Sequence, residues 1–379
     1  MSVVAIVRCP DYERSNVEAA VGEAVRLAEL ERELAGRKAL IKPNLLSARR
    51  PEDAVTTHPE VVGALGRLAL DAGCSVAVGD SPPFAGQNPD KYARLCEVTG
   101  IAGVARELGI PLARFEEDSR AVPHPNGRFY KSFEIAQAAL DADVIVNVSK
   151  LKTHGLMAFT GAIKNVFGCV PGVRKSLFHV QAAEDREVFA QMLVDLLGVV
   201  EPSVNVMDAV VAMDGEGPNA GNRKQVGLIV ASSDPVALDA VACAIVGIDP
   251  LSIDTTRLAA EQGLGCADLS RIEVRGERID EVMVPDFEPC SGKNDWARIP
   301  APIRRLLRRK LVAIPIIGAK ECTGCGDCAA ACPVNAITPG RPARIDLEKC
   351  IRCYCCAEVC NFSAVRLRRG WLSRLLTTL

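Results

Sequence analysis

The chain has 379 residues, which suits two or three domains, and its formal charge is −2. Hydrophobic residues make up 49% of the chain but aromatic residues only 4%, so Val, Leu, Ile and Ala must supply most of any core. Its apolar runs fall short of the roughly 18 residues that a membrane helix needs, and no charged leader with a cleavage site opens the chain. We therefore expect a cytoplasmic protein without a transmembrane segment.

Strand-like and helix-like segments alternate through residues 1–287. Predicted strands cover 3–8, 39–41, 75–78, 143–148, 204–207, 226–231 and 271–274. Predicted helices cover 16–34, 59–72, 90–108, 185–200 and 235–246. Alternation of this kind builds a mostly parallel sheet with helices on both faces. We therefore predict an α/β domain over residues 1–287.

Charged and turn-forming residues gather after the predicted strands, at the edge where open parallel sheets bind ligands. Lysines buried at such an edge would be costly without an anion, because the ammonium group is strongly hydrated. We predict that an anionic ligand, such as a carboxylate or a phosphate, binds to Lys42, Asn44, Lys164 and Asn165. Surface lysines at the starts of loops are the alternative interpretation.

Further residues at the same edge are candidates for catalysis: His154, Lys150, Lys152 and Asp214. His154 is one of only four His, and it is a candidate general acid or base, a metal ligand, or a loop residue bonded to the backbone. Acidic residues that are candidates to hold a hard cation or to activate a proton are Asp80, Asp208, Asp214 and Glu216. Turn capping is the alternative for Asp80 and Asp208.

Several stretches of the first 285 residues together resemble the bacterial and archaeal family named domain of unknown function 362. They are Lys-Pro-Asn-Leu at 42–45, then 149–154, 164–168 with Gly172, 214–218 and 234–239. The family supplies no agreed reaction. The resemblance therefore implies candidate positions and no mechanism.

Residues 288–317 are predicted to be a linker, because prolines interrupt this part of the chain. Inside it, 303–311 is basic and amphipathic, and the tail at 369–379 has a similar basic and apolar character. Peripheral contact with an anionic membrane surface is one interpretation, and helices packed on the large domain are the other. Residues 301–379 carry 14 Lys and Arg against 5 Asp and Glu, an excess that could steer an acidic partner.

Two cysteine runs with the same spacing lie near the C-terminus. They are Cys322-x2-Cys325-x2-Cys328-x3-Cys332 and, 28 residues on, Cys350-x2-Cys353-x2-Cys356-x3-Cys360. Three Cys on a tight loop reach three irons of a [4Fe–4S] cube, and the fourth starts a helix that points toward the other cube. We therefore predict two clusters, the first held by Cys322, Cys325, Cys328 and Cys360, and the second held by Cys350, Cys353, Cys356 and Cys332.

Residues 318–368 resemble the bacterial two-cluster ferredoxin family, which implies a small α+β domain. Members of the domain of unknown function 362 family are often joined to such a module. A zinc site or a disulfide framework is the alternative, but zinc sites typically use paired Cys-x2-Cys knuckles. Asn361 stands where the ferredoxin family usually has a second Pro. Cys355 is a ninth Cys inside the repeat, which packs against the cluster, faces away from it, or serves as an alternate ligand.

The sequence argues against some functions and leaves three open. No G-x-G-x-x-G, no G-x-x-x-x-G-K-[ST] and no nucleic-acid module is present, so nucleotide cofactors bound by those fingerprints and nucleic-acid partners are unsupported. The first hypothesis is a ferredoxin-coupled oxidoreductase whose clusters exchange electrons with an anionic small molecule on the large domain. The second is an electron carrier whose large domain only docks a redox partner protein. The third is an iron–sulfur sensor or assembly factor.

Overall fold

The computed structural model describes residues 1–83, 86, 88–172, 174–182, 185–290 and 313–368. We call residues 1–290 the large domain and residues 313–368 the C-terminal domain. The basic amphipathic stretch of the predicted linker and the tail at 369–379 lie outside the described residues. Within the described ranges, every helix is too short or too polar to cross a membrane.

The elements alternate along the large domain. The strands are β1 (Ser2–Arg8), β2 (Lys38–Pro43), β3 (Ser75–Asp80), β4 (Leu112–Arg114), β5 (Ser119–Pro123), β6 (Ser132–Ala136), β7 (Val144–His154), β8 (Ala158–Thr160), β9 (Val204–Asp214), β10 (Asn222–Ser232) and β11 (Ile272–Gly276). The helices are α1 (Arg14–Leu27), α2 (Glu31–Leu34), α3 (Pro59–Asp71), α4 (Pro89–Val98), α5 (Ile101–Leu108), α6 (Gln137–Leu140), α7 (Ala162–Asn165), α8 (Arg174–Gln181), α9 (Arg186–Val200), α10 (Pro235–Ile245) and α11 (Asp254–Glu261).

One sheet of nine strands organises the large domain. Its order is β11-β1-β10-β9-β7-β2-β3-β4, and β8 pairs with β7 outside this path. Strands β9, β7, β2, β3 and β4 run parallel to one another, while β10 is antiparallel to both of its neighbours. The carboxyl ends of the five parallel strands therefore meet at one edge. The predicted mostly parallel sheet is confirmed.

Helices bury both faces of this sheet. Helices α1, α3, α4 and α5 pack on one face, and α7, α9, α10 and α11 pack on the other. Neighbouring strand residues alternate between the two cores, as Leu40 faces the second group of helices and Ile41 the first. The predicted coverage of both faces is also confirmed.

Two predicted helices are each split in two. The predicted helix over 16–34 ends at Leu27 and resumes at α2, because Glu29 adopts a left-handed backbone with φ +59°. The predicted helix over 90–108 is divided into α4 and α5 at Gly100, which has φ +78°. Glycine adopts this conformation without steric cost, so a helix is readily interrupted there.

Two central strands are longer than the sequence predicts. The predicted strand over 143–148 continues through His154 in β7, and the predicted strand over 204–207 continues through Asp214 in β9. The added residues include lysines and aspartates, which sequence reasoning assigns to loops. They remain in strands because their polar side chains find buried partners.

The C-terminal domain is a small α+β unit built on the 28-residue repeat. It contains β12 (Ile314–Ile317), α12 (Asp327–Ala330), β13 (Ile337–Thr338), β14 (Arg344–Ile345), α13 (Cys355–Glu358) and β15 (Val365–Arg368). Strand β12 lies in the segment predicted to be linker, and it pairs with β15. Left-handed residues recur at matching positions of the two cysteine loops, at Gly324 and Arg352 and at Gly326 and Tyr354. The two halves therefore have matching loop backbones.

Candidate functional site

Two cavities in the C-terminal domain are each lined by four of the predicted cysteines. The first cavity is lined by Cys322, Cys325, Cys328 and Cys360. The second is lined by Cys332, Cys350, Cys353 and Cys356. Each set takes three thiols from one cysteine run and one thiol from the other. The structure thus brings the eight cysteines together in the two predicted groups.

A hydrogen bond to sulfur recurs in both cavities. The backbone N–H of Ala336 donates to Sγ of Cys332 over 3.1 Å, and the N–H of Ala364 donates to Sγ of Cys360 over 3.2 Å. Such donors tune the potential of an iron–sulfur cluster, and apolar walls keep solvent from it. Each cavity has mostly apolar walls besides its thiols. The residues present therefore fit a [4Fe–4S] cube in each cavity.

A cleft lies between the carboxyl edge of the sheet and helix α13. It is partly open to solvent. Its polar lining includes Lys42, Asn44, Asp80, Ser81, Lys164, Asn165, Lys175, His179, Cys355 and Glu358. All four residues predicted to bind an anion therefore line one cleft. The last two lining residues come from the C-terminal domain.

Lys42 and Asp80 form a buried ion pair in this lining. Nζ of Lys42 lies 2.8 Å from Oδ1 of Asp80 and donates to the carbonyl of Pro43 over 3.0 Å. Oδ2 of Asp80 accepts from the N–H of Leu45 over 2.8 Å. The Lys42 charge is thus already balanced within the protein.

A chain of buried side chains orients the amide groups of the cleft. Nζ of Lys152 donates to Oδ1 of Asn44 over 2.7 Å, and Nδ2 of Asn44 donates to Oδ1 of Asn165 over 3.0 Å. Nδ2 of Asn165 in turn donates to Oδ1 of Asn147 over 2.8 Å. Burial holds the pKa of Lys152 well below its usual value. Lys152 lies behind Asn44 and positions it, and does not itself line the cleft.

Helix α7 presents Lys164 to the cleft. The carboxylate of Asp239 accepts from the N–H groups of Ala162 and Ile163 over 2.6 and 3.1 Å, and so holds the start of this helix. Burial raises the pKa of Asp239 to about 7, although both amide donors act in the opposite direction. Burial also lowers the pKa of Lys164, and the nearby carboxylate of Glu358 opposes that change.

Sequence reasoning missed Lys175 and His179, which helix α8 brings to the cleft. They stand four residues apart, so they share one helix face, and this spacing is the signal that could reveal them. Nζ of Lys175 donates to Oγ of Ser81 over 2.6 Å, and burial lowers the pKa of Lys175 to about 8. The His179 ring stacks on Phe189 with centroids 4.4 Å apart, and burial lowers its pKa to about 4.

Two of the catalytic candidates have partners away from the cleft. Nζ of Lys150 donates to Oδ2 of Asp208 and to the hydroxyl of Tyr12, each over 2.8 Å. Oδ2 of Asp214 accepts from the N–H of Glu288 over 3.1 Å. Neither Lys150 nor Asp214 lines the cleft. The structure does not bring them together with the anion-binding candidates.

The acidic candidates do not form one cation site. Asp80 is paired with Lys42, and Asp208 is paired with Lys150. Within the part of the chain that the structure describes, no group of three or more His, Cys, Asp and Glu side chains is arranged to hold a metal ion.

His154 lies where the two domains meet. Its Nδ1 accepts from the N–H groups of Leu156 and Met157 over 3.1 and 3.2 Å, so the ring proton belongs on Nε2. That Nε2 lies 2.9 Å from Oε1 of Glu358. Burial, aided by the charge of Lys164, lowers the pKa of His154 to about 4. The imidazole is therefore neutral near pH 7, and its Nε2 lies against the carboxylate.

Helix α13 forms the wall between the cleft and the second cavity. Cys356 faces the cavity, Glu358 faces the cleft, and Cys355 borders both spaces. The first repeat has Asp327 and Ala330 at the positions that match Cys355 and Glu358. The two residues thus distinguish the second repeat from the first, and comparison of the repeats could single them out.

Further contacts seat the C-terminal domain on the large domain. Nδ2 of Asn219 donates to the carbonyls of Glu358 and Cys360 over 3.2 and 2.8 Å. Nη1 of Arg49 donates to the carbonyl of Asn361 over 2.9 Å. These bonds hold the backbone on both sides of the last cysteine, and so they set the position of α13.

Cavities of this construction define an iron–sulfur protein, and a family model described as a 4Fe-4S dicluster domain matches residues 314–361. The chain carries a 4Fe–4S domain at this end. The model of Domain of unknown function (DUF362) matches residues 39–244, which is more than half of the chain. The protein belongs to the DUF362 family.

Two curated proteins resemble the chain. It is 36% identical over 264 residues to Thylakoid-associated protein sll1697 of Synechocystis sp., a match that covers 66% of this chain and 79% of that protein. It is 38% identical over 58 residues to DNA-directed RNA polymerase subunit Rpo3 of Methanosarcina mazei. That second match covers 14% of this chain and 22% of the subunit.

Two solved structures also resemble the chain. The lactate racemase apoprotein from Thermoanaerobacterium thermosaccharolyticum gives a TM-score of 0.39 at 14% identity, covering 62% of this chain and 55% of that one. A Thermotoga maritima protein gives a TM-score of 0.34 at 12% identity, covering 67% and 60%. The chain spans less than two thirds of the length of each of these two solved proteins.

Proposed function

We propose that the protein transfers electrons between two [4Fe–4S] clusters and an anionic molecule bound in the cleft. The proposal rests on the position of helix α13, because residues of this one helix line both the second cavity and the cleft. The proposed ligands are Cys322, Cys325, Cys328 and Cys360 for the first cluster, and Cys332, Cys350, Cys353 and Cys356 for the second. The clusters would supply or accept single electrons.

The lining of the cleft supports an anion. Lys164 and Lys175 face it, and their ammonium groups are partly desolvated there, so a negative ligand group would replace lost hydration. In this function Asn44 and Asn165 bind the same molecule, while Lys152 positions Asn44. His154 positions the C-terminal domain and does not touch the ligand.

The first cavity lies closer to solvent. Cys325 is exposed, and the matching Cys353 of the second cavity is less so. Gly324 and Gly326 flank Cys325, so no side chain of theirs covers it. A redox partner protein would therefore approach the first cluster, and the second would face the cleft. This exposure also favours a second candidate function, that of an electron carrier for such a partner without chemistry in the cleft.

The proposal includes a reducing, cytoplasmic location. No disulfide joins any of the cysteines that the structure describes, including those in the core of the large domain. Cysteines without disulfides are typical of a compartment in which glutathione or thioredoxin keeps thiols reduced.

Anaerobic purification followed by redox kinetics tests the proposal. The protein should contain about eight irons per chain and give cubane EPR signals after reduction. Reduced protein is then mixed with pyruvate, nitrite or sulfite, and the loss of signal is followed. Transfer through the cleft predicts that at least one anion reoxidises the clusters, and that Lys164→Met slows it about tenfold, the effect of one lost charge-assisted hydrogen bond. Ferricyanide, which needs no cleft, should reoxidise both proteins equally.

The control is Lys38→Met, since exposed Lys38 lies at the opposite end of the strand that carries Lys42. Protein without iron, or with zinc in its place, would end the proposal. If ferricyanide alone reoxidises the clusters, the carrier function replaces it.

A further inference from the structure

Most polar groups of the cleft already have partners in the protein. Lys42 is paired with Asp80, and Lys175 donates to Ser81. The amides of Asn44 and Asn165 bond to each other. Few groups of the cleft therefore lack a partner among the described residues, and the chemistry of those few restricts what the ligand can be.

Lys164 is the first of these groups. Its ammonium makes no hydrogen bond or ion pair with any of the described residues, although Asp239 fixes the helix that carries it. A partly desolvated ammonium group needs hydrogen-bond acceptors to replace the water that it has lost. A negatively charged oxygen of a ligand would supply them.

His179 is the second group. Only 6% of the residue is exposed, and its Nδ1 has no hydrogen-bond partner among the described residues. Stacking on Phe189 and an edge contact with Phe167 fix the plane of the ring. The imidazole is neutral near pH 7, because burial lowers its pKa to about 4. It therefore suits an uncharged hydroxyl or carbonyl oxygen better than a second negative charge.

We propose that the cleft binds a small carboxylate that also carries an uncharged hydroxyl or carbonyl oxygen. The carboxylate bonds to Lys164, and the uncharged oxygen bonds to the imidazole ring of His179, which lines the cleft. This inference rests on the proposed function for the location of the site, and it names the class of molecule that the site takes.

Calorimetry on the oxidised holoprotein tests this assignment. Glycolate and pyruvate have both groups, acetate has the carboxylate alone, and nitrate is an inorganic monoanion. We expect glycolate and pyruvate to bind roughly tenfold more tightly than acetate, the effect of one additional hydrogen bond. Comparable binding of acetate, tighter binding of nitrate, or no binding of any carboxylate would overturn the assignment.

Two variants separate the roles of the two groups. Lys164→Met should weaken glycolate and acetate alike by about tenfold. His179→Phe keeps a ring that stacks on Phe189 and should abolish the difference between glycolate and acetate. Lys38→Met should change neither. The comparison in wild-type protein needs no variant, so the assignment stays testable even if His179→Phe does not fold.

The outcome is separate from that of the electron-transfer experiment. Binding is measured without reduction, so a protein that binds glycolate but never exchanges electrons with a cleft ligand defeats the proposed function alone. A protein that is reoxidised by nitrite through the cleft but prefers acetate or nitrate to glycolate defeats this inference alone.

Discussion

Nε2 of His154 lies 2.9 Å from Oε1 of Glu358, and this contact joins the end of β7 to helix α13. Burial alone would raise the pKa of Glu358, but the hydrogen bond from His154 and the charge of Lys164 hold it below its usual value. A neutral donor and a charged acceptor thus meet inside the domain interface. The catalytic role that the sequence suggests for His154 gives way to a positioning role in our proposal.

Replacing either partner should loosen the domain contact. His154→Gln and Glu358→Gln each leave a buried polar group poorly paired, which costs roughly 1–3 kcal/mol. Both changes remove the same contact, so the double variant should cost less than the sum. Hydrogen exchange of the amides at 355–360 measures the effect, and Arg366→Ala, which removes an exposed pair with Glu321, is the control. Additive effects, or unchanged exchange, would contradict this.

Cysteine substitutions should show that each cluster takes its fourth ligand from the other cysteine run. Cys332→Ser should perturb the same EPR signal as Cys353→Ser, although Cys332 belongs to the first run. Cys360→Ser should likewise share its affected signal with Cys325→Ser. The reason is that each cavity takes its fourth thiol from the other run. Cys266→Ser, outside the repeat, is the control, and a signal shared by Cys332→Ser and Cys325→Ser would refute the crossing.

Binding of glycolate should weaken as pH rises above about 8, because burial lowers the pKa of Lys175 to about 8 from its usual 10.5. Asp80 and Glu116 act to raise this pKa, and Lys42 acts to lower it. Loss of the Lys175 proton removes positive charge from the cleft and leaves the anion less favoured. Calorimetry on both sides of pH 8 measures the trend. Lys175→Met should bind more weakly and show a flatter pH dependence, and an unchanged slope would count against it.

The lowered pKa of Lys175 should weaken glycolate binding as the pH rises, but it should increase the free energy of unfolding over the same pH range. Between about pH 8 and 10.5, folded Lys175 has lost its proton while the unfolded chain still binds it. The unfolded state therefore binds more protons, and the contribution of Lys175 to the free energy of unfolding increases with pH in that window. Denaturant unfolding of wild type and Lys175→Met should differ in slope there, and parallel curves would show that the group is not shifted.

Gly168 should not tolerate a side chain. A Cβ at this position would overlap Oδ1 of Asp80 and crowd Nζ of Lys42. Gly168→Ala should therefore displace the ion pair, lower the stability by roughly 1–3 kcal/mol, and weaken glycolate binding. Gly22→Ala in α1 meets nothing within 4 Å and should stabilise the protein by roughly 0.5–1 kcal/mol. Thermal unfolding compares the two, and a Gly168→Ala protein that melts no lower than wild type would show that the pair can move aside.

The sheet and its helices can be predicted because apolar residues recur with the period of a strand or a helix on the face that is buried. Strand β7 shows the limit of that signal. Its residues 149–154 read as a polar loop, yet every residue of the strand is buried. Lys150 is paired with Asp208, Lys152 with Asn44 and His154 with Glu358. These partners are distant in sequence, so no local pattern reveals that the polar residues are satisfied inside.

Some residues of the candidate site can be predicted from the sequence and others cannot. Lys42, Asn44, Lys164 and Asn165 are accessible to sequence reasoning because they follow or flank predicted strands at the binding edge. His179 lies on a helix that the sequence analysis leaves unassigned, and Glu358 reaches the cleft only because the C-terminal domain docks there. Docking is a tertiary event, and a single sequence carries no direct record of it.

The wall formed by α13 has a mechanical consequence. One four-residue helix both closes the cleft and bears Cys356, so any widening of that wall also moves the pocket behind it. The position of this helix therefore sets both the width of the cleft on that side and the distance from a bound molecule to the proposed cluster ligands. A ferredoxin module from another protein, without residues equivalent to Cys355 and Glu358, would occupy the same space but would not line the cleft in the same way.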